Sequence, residues 1–242
     1  MSIFKHHKHL ETNVFFLAVG ILLCVIVGGL VEVVPLFTIE STIEKVDGVR
    51  PYSPLEQAGR DIYVREGCYN CHSQMVRPFK DEVERYGHYS LAAESKYDHP
   101  FQWSSKRTGP DLARVGGKYT NDWHVRHMIN PRDVVPESIM PGYPHLMRAL
   151  DTSTIQGNMT ALKIVGVPYT DAQIANAVKD LKEQASSDSA DSQVLKSYPK
   201  ARMGDVDGDP NKVTEMDALV AYLQVLGTMV DFTKVNPEAI RR

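Results

Sequence analysis

Two cysteines three positions apart, followed directly by a histidine, are the residues of this chain best suited to chemistry: Cys68-Tyr69-Asn70-Cys71-His72. The spacing C-x-x-C-H is that of covalent haem attachment. Two thiols at this separation add across the two vinyl groups on one edge of a porphyrin. The next residue then lies under the ring, where its imidazole can bind the iron. Other uses of a cysteine pair fit less well. A tetrahedral zinc site needs further Cys or His ligands at suitable spacing, and the remaining cysteine, Cys24, lies inside an apolar run. A redox dithiol of the thioredoxin kind needs a βαβ setting, and no such pattern surrounds this one. The motif occurs once, so the expectation is one covalent haem c, attached at Cys68 and Cys71 with His72 on the iron.

An iron held by one histidine has a further position to fill. Methionine there raises the potential and makes an electron carrier, whereas an open position allows gas binding or catalysis. Met75 is too close to His72 to reach the opposite face of the ring. Met128, Met216 and Met229 fall in or beside expected helices, where methionine usually packs a core. Met140 sits in Pro136-Glu137-Ser138-Ile139-Met140-Pro141-Gly142-Tyr143-Pro144. A proline-stiffened loop presents a side chain at little ordering cost. Met140 is therefore the favoured second axial ligand, with Met147, His145 and an open site as the alternatives. Arg77, Arg107 and Arg114 are candidates for the haem propionates, since guanidinium matches carboxylate geometry; solvated surface charge is their ordinary role. Asp205-Val206-Asp207-Gly208-Asp209 breaks the calcium-loop pattern and reads as a polar turn. No residue stands out as catalytic.

The elements that must hold these groups read as all-α. Ser53 can cap a helix, Pro54 suits its first position and Glu56 completes a capping box. Leu55, Ala58, Gly59, Ile62 and Tyr63 make one face at helical spacing, and this helix runs into the cysteine motif. Residues 73–120 look mostly irregular, broken by Pro78, Pro100, Gly109-Pro110 and Gly116-Gly117. A short helix carrying Trp123 and Met128 stops before Pro131, and a proline-rich loop follows. Thr170 caps a helix to about Gln184, residues 185–212 read as a surface insertion, and Thr214 starts the last helix with Asp217 three residues on. The domain thus covers 53–242, with insertion 151–212, after a linker over 37–52.

Before that linker, Val14 to Val34 is an apolar run interrupted once, by Glu32. About 20 such residues cross the hydrocarbon core as a helix, and no small-residue cleavage site follows. Residues 1–36 therefore read as an uncleaved N-terminal transmembrane anchor in membrane lipid. Lys5 and Lys8 before the run place the N-terminus in the cytoplasm and the rest outside. Among 242 residues the net charge is −3, which excludes the strongly basic footprint of a nucleic-acid binder.

These residues resemble class I cytochrome c, whose first helix carries a Gly and an aromatic before the cysteines, as Gly59 and Tyr63 do here. Its last helix reads like Leu219-Val220-Ala221-Tyr222-Leu223. The resemblance implies that the two helices cross closely at the glycine. It also implies that Pro110, in Gly109-Pro110-Asp111-Leu112, accepts a hydrogen bond from His72 through its carbonyl, and that Met140-Pro141-Gly142 is the ligand loop.

A narrower resemblance is to the mono-haem subunit, subunit II, of cbb3-type cytochrome c oxidases. It is carried by Cys68 to Pro78, by Tyr86-Gly87-His88-Tyr89-Ser90, by Asp98-His99-Pro100-Phe101-Gln102-Trp103 and by Val135 to Tyr143. It extends over nearly the whole chain and is least diagnostic over 151–212. It implies a periplasmic haem domain held in the bacterial inner membrane by one helix, beside a haem–copper catalytic subunit. Electrons would arrive from a dihaem cytochrome c subunit and leave to a b-type haem, with oxygen reduced in the catalytic subunit and not here. The second reading is a free-standing membrane-tethered cytochrome c. Between these, the aromatic segment with Phe79, Tyr86, Tyr89, Tyr97, Phe101 and Trp103 favours a partner surface, with Glu82 and Arg85 as candidate steering charges.

Overall fold

A computed structural model describes residues 4–39, 43–102, 106–186 and 191–235. Trp103 lies outside them. The chain divides into two compact units, 1–44 and 45–242. In the first, α1 (Phe4–Thr12) is followed by α2 (Val14–Thr38), with Asn13 between them accepting hydrogen bonds from the Phe15 and Phe16 amides. At 25 residues α2 is about 37 Å long, enough to cross a hydrocarbon core of about 30 Å. It is long and apolar enough to span a membrane. A helix satisfies its own backbone groups, the condition for crossing lipid.

The second unit is helical, and among its described residues the only strand-like pairing is one bridge between Ala149 and Thr214. It holds α3 (Pro54–Arg65), α4 (Lys80–Tyr86), α5 (Asn121–Ile129), α6 (Ile155–Ile164), α7 (Asp171–Ser186), α8 (Gln193–Ser197) and α9 (Glu215–Val225). Capping chemistry sets the starts as expected. Ser53 accepts from the Glu56 amide while Glu56 accepts from the Ser53 amide at 2.8 Å. Thr214 and Asp217 form the same reciprocal box on α9. Thr170 and Gln173 do so on α7.

The frame is the crossing of α3 over α9. All of α9 is buried, and a Cβ added at Gly59 would fall on the Ala218 carbonyl. Only glycine lets the two backbones come this close. The Tyr63 and Tyr222 rings pack beside the crossing with centroids 5.5 Å apart.

Two stretches differ from the sequence-based expectation. The described residues of 185–212 are only partly on the surface. Val194, Tyr198 and Ala201 are buried in the main core, and Gln184 bonds both Ser53 (2.6 Å) and the Arg202 carbonyl (3.0 Å). The Ser- and Asp-rich composition masks three inward-facing residues in a segment too short to show a helical period. The segment 73–120 contains α4, whose seven residues carry too few apolar positions for a pattern. Nearby, Glu82 is no steering charge. Its side chain is 3% exposed and bonds Arg77 through Nε at 2.6 Å and Arg107 through Nη2 at 2.7 Å. Arg60, in the middle of α3, is likewise buried and holds Asp98 at 3.0 Å together with the carbonyls of His99 and Pro100.

Two outcomes follow. Gly59→Val is expected to destabilise the domain by about 3 kcal/mol or more, because backbone cannot yield as a side chain can; denaturant unfolding would measure it. Hydrogen bonds from Arg107 and then Arg77 hold the Glu82 carboxyl down at about 2. A depressed folded value stabilises the fold above the unfolded carboxyl range of about 4.3 and loses that effect as pH falls toward 2. The stability gap between the parent and Glu82→Gln should therefore be constant near neutrality and shrink over that acid window.

Candidate haem site

The cysteine motif is presented by the end of α3. Glu66 closes the helix, and Gly67 adopts φ 70°, a left-handed conformation that glycine takes without strain. A tight turn over Cys68–Asn70 then brings the Cys71 amide to the Cys68 carbonyl at 3.1 Å and the His72 amide to the same oxygen at 2.9 Å. Both thiols are free. Burial pushes the Cys68 thiol up to about 12. A redox dithiol needs the opposite shift, toward an exposed thiolate.

The ring of His72 is fixed from behind. Its Nδ1 lies 2.8 Å from the Pro110 carbonyl. A carbonyl only accepts, so Nδ1 carries the proton and Nε2 is left with its lone pair, the form that binds a metal. The segment carrying Pro110 is tied to the motif by Gly109 N–H to Cys71 O and Leu112 N–H to Ser73 O, both 2.9 Å. Asp111, buried, accepts from Ser73 Oγ (2.6 Å) and from the amides of Met75 (2.9 Å) and Ala113 (2.8 Å). A Cβ at Gly109 would run into the His72 imidazole, so the glycine forms a cradle for that ring.

A cavity of about 780 Å³ opens in front of His72, within the range of about 300–1,000 Å³ usual for ligand sites. Cys68, Cys71, His72, Pro110 and Met140 all line it, together with apolar side chains such as Leu219 and Leu223. Met140 comes from a loop held to α5: the Tyr143 amide donates to the Met128 carbonyl at 2.6 Å, and Gly142 lies against the Ile129 carbonyl with no room for a Cβ. Met128 also lines the cavity, as part of the core. Neither His145 nor Met147 does. His145 bonds Glu66 at 3.1 Å, and Met147 packs against the core.

The residues present fit a haem. The wall is largely apolar, its thiols and imidazole stand at the motif spacing, and Gly109 leaves room for the His72 ring that a Cβ would fill.

The arginines are placed differently from one another. Arg77 and Arg107 face an adjoining cleft with Pro110 and share Glu82. Arg114 does line the cavity, but all five of its N–H groups have protein acceptors: Glu94 at 2.7 and 2.9 Å, and the carbonyls of His88 (3.1 Å), Ala113 (2.9 Å) and Tyr89 (3.2 Å). The polar turn brings Asp205, Asp207 and Asp217 carboxylates within 4.8 Å of one another, with Asp217 already bonded to Thr214 and the Val206 amide. Of the aromatic segment, Phe79 and Phe101 are exposed, Tyr86 lines the cavity and Tyr97 packs on the core.

The sequence does not single out the histidines of α5. The signal was a pair spaced i, i+3 on a short expected helix, where their shared face is as easily a core face as a ligand one.

The family described as cytochrome c oxidase, mono-heme subunit/FixO, matches residues 7–230. Comparison with curated proteins finds no match. With one haem motif, one helix of membrane-crossing length and a family match over most of its length, this chain belongs to the FixO family, the membrane-anchored mono-haem electron-transfer subunits of cbb3-type cytochrome c oxidases.

Proposed function

We propose that this chain is the electron-input relay of its oxidase. It accepts electrons from the dihaem cytochrome c subunit and passes them to the b-type haem of the haem–copper subunit, where oxygen is reduced to water. The observation that carries the reading is a single cavity that collects Cys68, Cys71 and His72 from one segment and Met140 from a distant one. In this reading Cys68 and Cys71 would hold one haem c covalently, His72 and Met140 would ligate its iron, and Pro110 orients His72. A bound haem supplies a one-electron ferric–ferrous couple. The chain's own residues keep that couple closed to other chemistry. With the Met140 thioether and the His72 imidazole both given to the iron, no position would be left for oxygen.

The domain lies in the periplasm and α2 crosses the bacterial inner membrane, an orientation favoured by Lys5 and Lys8 ahead of the span. Tethering keeps the domain near its acceptor, so delivery is effectively intramolecular. Arg77, Arg107 and Arg114 serve the site by holding the segment behind His72, through Glu82 and Glu94.

Cys71→Ser should remove or weaken the haem-linked peroxidase stain that follows the parent chain through denaturing electrophoresis. Pigment extracted from the parent by acidified organic solvent would overturn covalent attachment. Met140→Leu should abolish the weak methionine–iron charge-transfer band of the ferric protein and lower the potential. The purified complex carrying it should lose turnover with a cytochrome donor while keeping its catalytic haem spectrum. An unchanged band would move the ligand to another residue. A chain that purifies alone, and whose deletion spares oxidase activity, would be a free-standing carrier instead.

A further inference from the structure

The apolar span carries one acid. Glu32 lies within α2, and the apolar residues Val33, Val34, Leu36 and Phe37 follow it before the helix ends at Thr38, about 9 Å further on. It makes no hydrogen bond or ion pair among the described residues. A helical side chain leans toward the N-terminus of its helix, over the turn before it. For Glu32 that direction leads away from the near end of the span and over Gly28 and Gly29. The carboxyl therefore leans into the hydrocarbon instead of reaching out of it. A Cβ added at either glycine meets nothing within 4 Å, so the place beside the carboxyl is open.

A second polar group lies next to it. Pro35, inside the helix, has no N–H, so the Val31 carbonyl lacks its helical donor. The Thr38 hydroxyl does not replace it, since it bonds the carbonyls of Pro35 at 3.2 Å and Val34 at 3.5 Å. Gly28, Glu32 and Pro35 share one face at helical spacing. In lipid no water serves such groups, and a proline in a spanning helix is tolerated where a neighbour resupplies the lost bond. An ionisable side chain in a span faces protein and not lipid. The carboxyl and the Val31 carbonyl are both acceptors, so what this face lacks is a donor.

We propose that the face of α2 with Gly28, Glu32 and Pro35 is the docking surface for a transmembrane helix of another subunit of the oxidase, which brings a side-chain hydrogen-bond donor to Glu32 and the Val31 carbonyl. The glycines let that helix come close, because small residues allow backbones to approach each other in lipid. This contact needs only the span and membership of an oxidase subunit family. It stands apart from the relay reading above and from the identity of the haem ligands.

The test uses the intact complex, extracted from its own membrane in mild detergent through an affinity tag on the haem–copper subunit. The readout is the amount of this chain recovered per haem–copper subunit. Glu32→Leu should lower it by about threefold or more, and Gly28→Phe, which fills the open place, should do the same. Glu32→Gln, whose amide carbonyl still accepts, should keep most of it. Leu30→Phe, on the opposite face of α2, should leave it at the parent value. In membranes of cells lacking the haem–copper subunit, every variant should be as abundant as the parent, so that the loss is a loss of docking. Recovery of Glu32→Leu at the parent level would overturn the proposal. So would equal losses in Glu32→Gln and Glu32→Leu, or a Glu32→Leu chain that is already scarce without the haem–copper subunit. Full recovery with lost oxygen turnover would make Glu32 a proton-handling group, which also overturns it. Failure of the haem reading would show separately, in the haem stain and charge-transfer band of the unsubstituted protein.

Discussion

The hydrogen bond between His72 Nδ1 and the Pro110 carbonyl, 2.8 Å long, sets the requirement that the rest of the haem domain meets. It decides which ring nitrogen is free for a metal, and it does so with an acceptor far along the chain. Everything between residues 72 and 110 must therefore leave the motif and return to the same spot. No regular ladder guides that return. It is held instead by Asp111 against Ser73 and Met75, by the two backbone bonds from Gly109 and Leu112, and by a glycine that leaves space for the imidazole.

That excursion is ordered by charge placed where charge is costly. Glu82 and Asp98 are buried, each against arginine, and Arg60 reaches from the middle of α3 to hold Asp98 and two carbonyls. A buried ion pair contributes little net stability unless further hydrogen bonds satisfy both partners. Here Glu82 also receives the Arg77 amide at 3.0 Å, and Arg107 also reaches Ser73 and the Met75 carbonyl. The network selects one conformation for a segment with few apolar side chains to do so. It also links Glu82 through Arg107 and Asp111 to the backbone that carries Pro110.

The opposite side of the cavity is built in another way. The α5 wall and the Met140 loop form one piece, joined by Tyr143 to Met128 and by the tight seat of Gly142 on Ile129. Aromatic stacking stiffens that wall, and the loop is stiffened by its prolines. An electron-transfer site benefits from such rigidity, since a metal held by residues that do not move would need little reorganisation when it gains or loses an electron. The α3–α9 crossing holds the thiol side of the cavity, because α3 leads directly into Gly67 and Cys68.

Features that depend on neighbours in sequence were legible in the sequence. The C-x-x-C-H spacing, the apolar span, the capping boxes at Ser53 and Thr214, and Met140 in its proline-rich loop are local patterns with local causes. The family resemblance supplied Pro110 and the role of Gly59, and both stand where it implied. What only the tertiary structure decided depends on which distant groups meet. Glu82 looks like a surface charge until Arg77 and Arg107 close over it, and Arg114 looks like a propionate ligand until its donors are counted. Residues 185–212 look solvated because composition averages over Val194, Tyr198 and Ala201, which are buried in the main core. His124 and His127 carry no signal of their own, because an imidazole on a helix face is a core residue or part of a cavity wall according to what stands opposite. Local chemistry is written in spacing, whereas the satisfaction of a buried polar group is a property of the three-dimensional neighbourhood and is settled only when the chain has folded.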